Sequence, residues 1–482
     1  MVAIRWPLST SPGERPQEGA GRIVNAYAEP RGEDLGPIWR RAPGLLPFLE
    51  TEETVFRGAI VMPGVVYAGF TDTIVAIEQG AVSDGITYLV SDHGAMSGTD
   101  KLFFARNNNS VPDVVVVGTD GPFVITSGAV SSYPDPDVGS PNAVGFLAGY
   151  FFFTYGDGKC RTSGINTTSI NSNDLATAEQ HPDGLLRPVP FRSSMLLCGA
   201  RTIEVWSNSG NPEGFPFSYS HTIPAGLLNP HAISGGAASD EFAEYLMWVA
   251  DDSTVRRLDG WEATKVSPPW LDRLIAAQQD PNVFEACVYT SEGHKFWQLS
   301  CPDWTAVFDF NTQKWHERNS YLQKRSRITQ SFPIRGAFPN VSKWLCGDML
   351  SGDLLEISGD ALDEAGQPLT VLAESLEVKN FPNRIQVSRA DFDFVTGVGI
   401  ATGQDPIQTD PQVNLSWSDD GGVTWSKPLI RNLGRQQRAT RRVTVLNTGL
   451  SGPQGRRWRW WISDPVDVMF MGGDQSQAVR GK

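Results

Sequence analysis

The chain has 482 residues, 40% hydrophobic, 20% charged and 10% aromatic, with 54 acidic against 40 basic side chains and a formal charge of −14. That length exceeds one ordinary core at about 150 residues per domain, and the acidity argues against a surface that grips nucleic acid throughout, because phosphate binding needs a basic footprint. The 48 glycines and 33 prolines require frequent turns and favour an all-β architecture over a helical one.

The opening Met1-Val2-Ala3-Ile4-Arg5-Trp6-Pro7 does not read as a charged-then-apolar signal segment. Residues 1–50 show little periodicity and many turn formers, such as Ser11-Pro12-Gly13 and Pro43-Gly44, and are expected to form an extended arm. From 51 to 365 the pattern becomes short apolar strands parted by Gly, Asp and Asn. Val61–Ala76, Val114–Ile125, Phe151–Cys160, Met195–Trp206, Tyr245–Leu258, Phe296–Trp315 and Trp344–Ile357 each read as two strands around a tight turn. Thr119-Asp120-Gly121, Asp251-Asp252, Asn311-Thr312 and Ser351-Gly352-Asp353 place residues tolerant of left-handed φ where hairpins need them.

Units recurring at roughly 40–50 residues, each of several strands, are the pattern of propeller blades. Six blades fit the length best, with five or seven open, and an irregular sandwich is the competing reading. One short helix is expected over Pro269–Gln279, with Trp270, Leu274 and Ile275 as its apolar set. The most apolar stretch, Ala143–Phe153, contains Gly145 and Gly149 and is shorter than the roughly 18 residues a spanning helix needs, so no membrane segment is expected. After a linker at 360–367, a C-terminal β-sandwich is expected over 366–482. There Phe392 and Phe394 alternate with Asp391 and Asp393, and Trp458, Trp460 and Ile462 share one face.

The cysteines, 160, 198, 287, 301 and 346, are scattered and lack a C-x-x-C pair, so they read as free thiols of a protein folded in the cytoplasm. No histidine pair falls at i, i+2 or i, i+4, and no nucleophile elbow, P-loop or zincin motif occurs, so no catalytic residue, cofactor or metal is assigned. Asp251-Asp252 imitates a carboxylate pair but reads as solvated turn acids.

Two features of the C-terminal region carry more information. Ser418, Asp420, Gly422, Thr424 and Trp425 match the S-x-D-x-G-x-T-W signature, the Asp-box familiar from sialidases. Its local physics is a hairpin staple, with Asp420 bonding backbone N–H groups, Gly422 allowing the bend and Trp425 packing beneath. Glycan binding or sialidase-like hydrolysis is the alternative reading. Between Arg431 and Ile462 there are eight arginines and no acid. Of these, Arg435, Arg438, Arg441, Arg442, Arg456, Arg457 and Arg459 are expected to form a docking face for a neighbouring protein.

Several segments together resemble the tail-hub proteins of short-tailed phages, also called packaged-DNA stabilisation or tail accessory proteins. These are Val24-Asn25-Ala26-Tyr27-Ala28-Glu29-Pro30; Pro43-Gly44-Leu45 with Phe48; and Thr202-Ile203-Glu204-Val205-Trp206 with Gly210, Pro216-Phe217 and Gly226-Leu227. The last are Glu292-Gly293-His294-Lys295-Phe296-Trp297, Phe308-Asp309-Phe310 and Lys314-Trp315-His316-Glu317-Arg318. The likeness covers most of residues 20–360. It implies a non-enzymatic virion protein whose propeller stands in a homo-hexameric ring beneath the portal and adaptor ring. Such a ring closes the DNA exit channel after packaging and supports tailspikes or fibres and a needle, while DNA passes without sequence recognition. Assembly in the host cytoplasm follows from that likeness, whereas the Asp-box and the arginine run lie outside it.

Overall fold

The computed structural model describes residues 1–32, 35–80, 88–126, 128–178, 183–210, 214–236, 240–339, 341–400, 407–436 and 441–480. The chain is an all-β protein, a β-propeller followed by a β-sandwich, and its contacts divide it into two compact units.

The unit of residues 47–289 and 327–356 holds most of the repeated meanders. The first is Phe56–Met62, Val65–Phe70, Thr73–Gln79 and Tyr88–Ala95; the second is Phe103–Arg106, Val114–Gly118, Gly121–Thr126 and Ala129–Ser132. Three more four-stranded sheets begin at Ala143, Leu185 and Ile233. In the second meander Gly118 pairs with Gly121, so Thr119-Asp120 turns the hairpin as its sequence predicts. Val114, Val115, Val116 and Val117 are all fully buried. A run buried on both faces does not alternate, because each sheet is covered on either side by its neighbours.

The apolar clusters follow that stacking. Val115 and Val117 of the second meander pack with Phe151 and Phe153 of the third. Phe152 and Cys160 of the third pack with Met195 and Leu197 of the fourth. Phe56, Val66 and Phe70 of the first pack with Phe332, Phe338 and Leu345 of the last, which places the two ends of the repeat side by side.

In chain order the first strands of the meanders begin at residues 56, 103, 143, 185, 233, 285 and 328, so the described residues contain seven repeats where the length favoured six. Successive first strands stand 40 to 52 residues apart, so strands of three to eight residues joined by tight turns fit seven repeats into this length. The expected helix forms over Pro269–Ala276, but it buries Trp270, Leu271 and Ile275 and leaves Leu274 outward at 36% exposure.

The second unit comprises residues 1–46, 290–326 and 357–482. One sheet runs Ala26–Glu29, Ile38–Arg41, Met469–Arg480, Arg384–Phe394, Val443–Leu450, with Val2–Ile4 also on Met469–Arg480. The other carries His294–Cys301, Trp304–Asp309 and Lys314–Glu317 into Arg22–Val24, Val371–Glu374, Arg457–Ile462, Gln412–Ser418 and Leu429–Asn432. Phe392, Phe394, Val413, Leu415, Trp458, Trp460 and Phe470 fill the core between them. The residues expected as an extended arm thus supply strands to both sheets. Their strands are three to six residues long, too short for alternation to show in the sequence. Residues 360–367, expected as a linker, hold Leu45 through backbone bonds at Asp363 and Ala365.

Candidate functional site

The Asp-box closes the strand Gln412–Ser418. Asp420 Oδ1 accepts from the Ser418 hydroxyl at 2.7 Å and from the backbone N–H groups of Val423 and Thr424 at 3.0 and 2.9 Å. Its Oδ2 accepts from the Thr424 hydroxyl at 2.5 Å. Ser418 Oγ in turn accepts from Gly422 N–H at 2.8 Å, and Gly422 has φ +97°. Partial burial pushes the Asp420 carboxyl upward, but the bonds from Thr424, Ser418 and Val423 outweigh it and hold the group below the usual range. The carboxylate is therefore fully engaged in tying its own turn. Trp425 does not simply fill space under the bend, because the Arg459 guanidinium lies over its ring at 4.1 Å.

The seven arginines assigned to one docking face separate by burial. Arg456 is fully buried, with Nε and Nη2 donating to Asp419 at 2.8 and 3.0 Å, Nη1 donating to the Thr448 hydroxyl and Nη2 also to the Thr448 carbonyl. Arg457 is 4% exposed, donates to the carbonyls of Pro16 and Gly19, and pairs with Glu377 at 2.9 Å. Neither can belong to a free face, which corrects that expectation. The acids that neutralise them are remote in sequence, so the run between Arg431 and Ile462 only looks uncompensated. Arg459 is half-buried between Trp425 and Trp461 and lies 3.7 Å from Glu374. Arg435, Arg441 and Arg442 are exposed and form no ion pair among the described residues. Arg438 lies outside the described residues.

The other candidates resolve locally. Asp251 accepts from Gly226 N–H at 3.1 Å, and Asp252 accepts from Thr254 and pairs with Arg256, so both are turn acids. All five cysteines are buried free thiols. Among the described residues no three His, Cys, Asp or Glu side chains are grouped as a metal site, and no helix is long and apolar enough to cross a membrane. Sequence reasoning passed over Arg22 and Glu374, which border the same cleft as Gly422, Trp425, Arg457 and Arg459. Their separation along the chain leaves no local signal that could have joined them.

No curated protein matches the chain. Among solved structures, the WD40 β-propeller domain of Doa1 is 11% identical with a TM-score of 0.40, over 65% of this chain and 96% of that one. PorZ, an essential bacterial surface component of the type-IX secretion system of Porphyromonas gingivalis, is 12% identical with a TM-score of 0.37, over 80% of this chain and 46% of that one. The computationally designed Ika8 protein is 14% identical with a TM-score of 0.34, over 69% of this chain and 96% of that one. Likenesses at these scores bear on nothing further. A family model described as bacteriophage P22 Gp10, beta-propeller, matches residues 36–360, which is more than half of the chain. This chain therefore belongs to the phage stabilisation family, the β-propeller structural proteins of the phage tail that stabilise packaged DNA.

Proposed function

We propose that the protein is a tail-hub subunit that closes the DNA exit channel after packaging and joins the portal or its adaptor ring to tailspikes, fibres or a needle. The observation that carries this reading is the family match across residues 36–360. The task is mechanical. A ring that resists the pressure of packaged DNA depends on large packed interfaces more than on any reactive group. Copies of a chain with formal charge −14 repel one another, so the ring, a hexamer in this reading, closes on a preformed adaptor rather than in free solution. Purified subunit at low micromolar concentration should then sediment mainly as monomer, and a stable hexamer without partner would contradict the templated ring.

Arg435, Arg441 and Arg442 supply the docking chemistry that remains exposed, and they suit a neighbouring virion protein with an acidic surface. The test is complementation of phage that lack this protein. Wild-type protein should restore nuclease-protected DNA in the particles. The Arg435→Glu, Arg441→Glu, Arg442→Glu variant should fold normally yet fail to enter them. Particles that keep their DNA without the protein would refute the sealing role. Normal incorporation of the triple variant would refute the docking role.

A further inference from the structure

The unit of residues 1–46, 290–326 and 357–482 carries a cleft of about 300 Å³ beside the Asp-box. One wall is the loop from Ser11 to Gly21, clipped shut by Ser11 N–H on the Gly21 carbonyl at 3.0 Å and Ala20 N–H on the Ser11 carbonyl at 2.8 Å. Arg457 pins that loop through the Pro16 and Gly19 carbonyls. Gly422 and Trp425, held by the Asp420 staple, also line the cleft. Both parts are thus fixed before any ligand arrives, and Arg22, Glu374 and Arg459 complete the lining.

The polar groups of this cleft are incompletely matched. The Glu374 residue is only 9% exposed, and its closest cation, Arg459 Nη1, stands at 3.7 Å, beyond hydrogen-bond reach. Among the described residues no hydrogen bond to the Glu374 carboxylate is formed. Arg459 places its Nε on the Ser416 hydroxyl at 3.3 Å, a long bond, and stacks on Trp425, leaving the rest of its donor fork without an acceptor at hydrogen-bond distance. Arg22, by contrast, is committed to Glu317 at 3.1 and 2.6 Å. The Glu374 carboxylate is held only by that 3.7 Å ion pair and opens on the cleft, so it keeps acceptor capacity that a donating ligand can fill.

The ligand that fits must donate to Glu374, accept from Arg459 a few ångströms away, and offer an apolar face to an indole. A phosphate or carboxylate would be repelled by Glu374. A metal cation would find the carboxylates of Glu374 and Glu14 but would meet three guanidinium groups, Arg22, Arg457 and Arg459. An apolar ligand would leave the carboxylate unsatisfied. Sugar hydroxyls both donate and accept, and the C–H face of a pyranose lies against an aromatic ring. We propose that this cleft is a saccharide-binding site in which Glu374 and Arg459 hold vicinal hydroxyls of one sugar ring and Trp425 supports its C–H face. The site stands apart from the hub role and assigns no hydrolysis, since Asp420 is consumed by its turn.

The test uses the full-length protein on a printed array of oligosaccharides cut from bacterial capsules and lipopolysaccharides, with maltodextrins as the cytoplasmic class, followed by calorimetric titration of the strongest hit. Binding to surface fragments supports the site and assigns its ligand to the cell envelope; binding confined to maltodextrins supports the site and assigns the ligand to the cell interior. Glu374→Gln and Arg459→Lys should each weaken binding by about tenfold or more in protein that still unfolds cooperatively, while Phe381→Ala, on an exposed turn outside this cleft, should leave it within about twofold. Absence of binding to every oligosaccharide on the array would overturn the proposal. So would affinity retained within about twofold by both cleft variants, which would put the sugar elsewhere.

Discussion

Arg456→Met separates an internal strut from a docking residue. The wild-type guanidinium is fully buried, bidentate on Asp419, and lies 5.6 and 5.8 Å from the ring centres of Trp417 and Trp458. Methionine keeps an aliphatic stem against those rings, so the loss falls on the charge pair and on the two bonds to Thr448. Removing one partner of a buried pair costs about 3–5 kcal/mol, because the other charge is left without compensation. The Asp419 side chain is 34% exposed, so water recovers part of that loss, and about 2–3 kcal/mol is the expected net. For a unit of roughly two hundred residues this corresponds to a fall in thermal midpoint of about 4–12 °C. Calorimetry of the purified protein, with tryptophan near-ultraviolet circular dichroism as the local probe, reads it directly. Adding Asp419→Asn to Arg456→Met should recover part of the loss, since no orphaned carboxylate remains. Stability of Arg456→Met within about 0.5 kcal/mol of wild type would refute the strut.

Other consequences are equally open to measurement. Asp420→Asn should cost about 1.5–3 kcal/mol in urea unfolding at neutral pH, because it weakens the charge-assisted bonds from Thr424, Ser418 and Val423. Its carboxyl is held below the usual range in the folded chain, so the wild-type advantage is full above a pH of about 4 and fades as pH falls through the lower folded value. Burial, then the Arg318 charge, hold the His316 imidazole down to about 3. The unfolded chain takes up that proton below a pH of about 6.5, so wild-type stability should fall from there toward the folded value, and His316→Leu should flatten the slope; equal slopes in the two proteins would count against a neutral buried imidazole. Gly235 has φ +111°, and a Cβ there would sit 2.0 Å from the Tyr245 carbonyl oxygen, so Gly235→Ala should cost more than about 3 kcal/mol or abolish soluble expression.

Local chemistry was readable in the sequence wherever the interacting residues are neighbours. The Thr119-Asp120 hairpin, the alternation of Phe392 and Phe394, the shared face of Trp458, Trp460 and Ile462, and the Asp420 staple all follow from contacts within a few residues. Long-range pairing left no such trace. Arg22–Val24 joins Lys314–Glu317 to Val371–Glu374 through a strand of three residues, shorter than any periodicity can register. The cleft has the same character, because Arg22 and Glu374 meet only through the sheet that this strand completes.

The arginines show where a charge count along the sequence fails and what replaces it. A guanidinium taken out of water requires acceptors, and Arg41, Arg57, Arg456 and Arg457 find them for most of their donors, though Nε of Arg41 and of Arg457 stays unmatched. Arg57 is held by Asp100 and the Met96 carbonyl, and Arg41 by the carbonyls of Leu362, Leu369 and Asp464. Arg456 and Arg457 obey the same requirement through Asp419 and Glu377, so their charges are spent inside the fold. Arg435, Arg441 and Arg442 are exposed and hydrated, and among the described residues only Arg442 stands near enough to an internal acid, Asp391, to help hold its carboxyl down. A solvated charge tolerates reversal, since water stabilises either sign, whereas a charge that meets an acidic partner does not. Reversal of these three is therefore the perturbation in which stability and assembly should part company: an unfolding curve like that of the wild type, and particles from which the variant is missing.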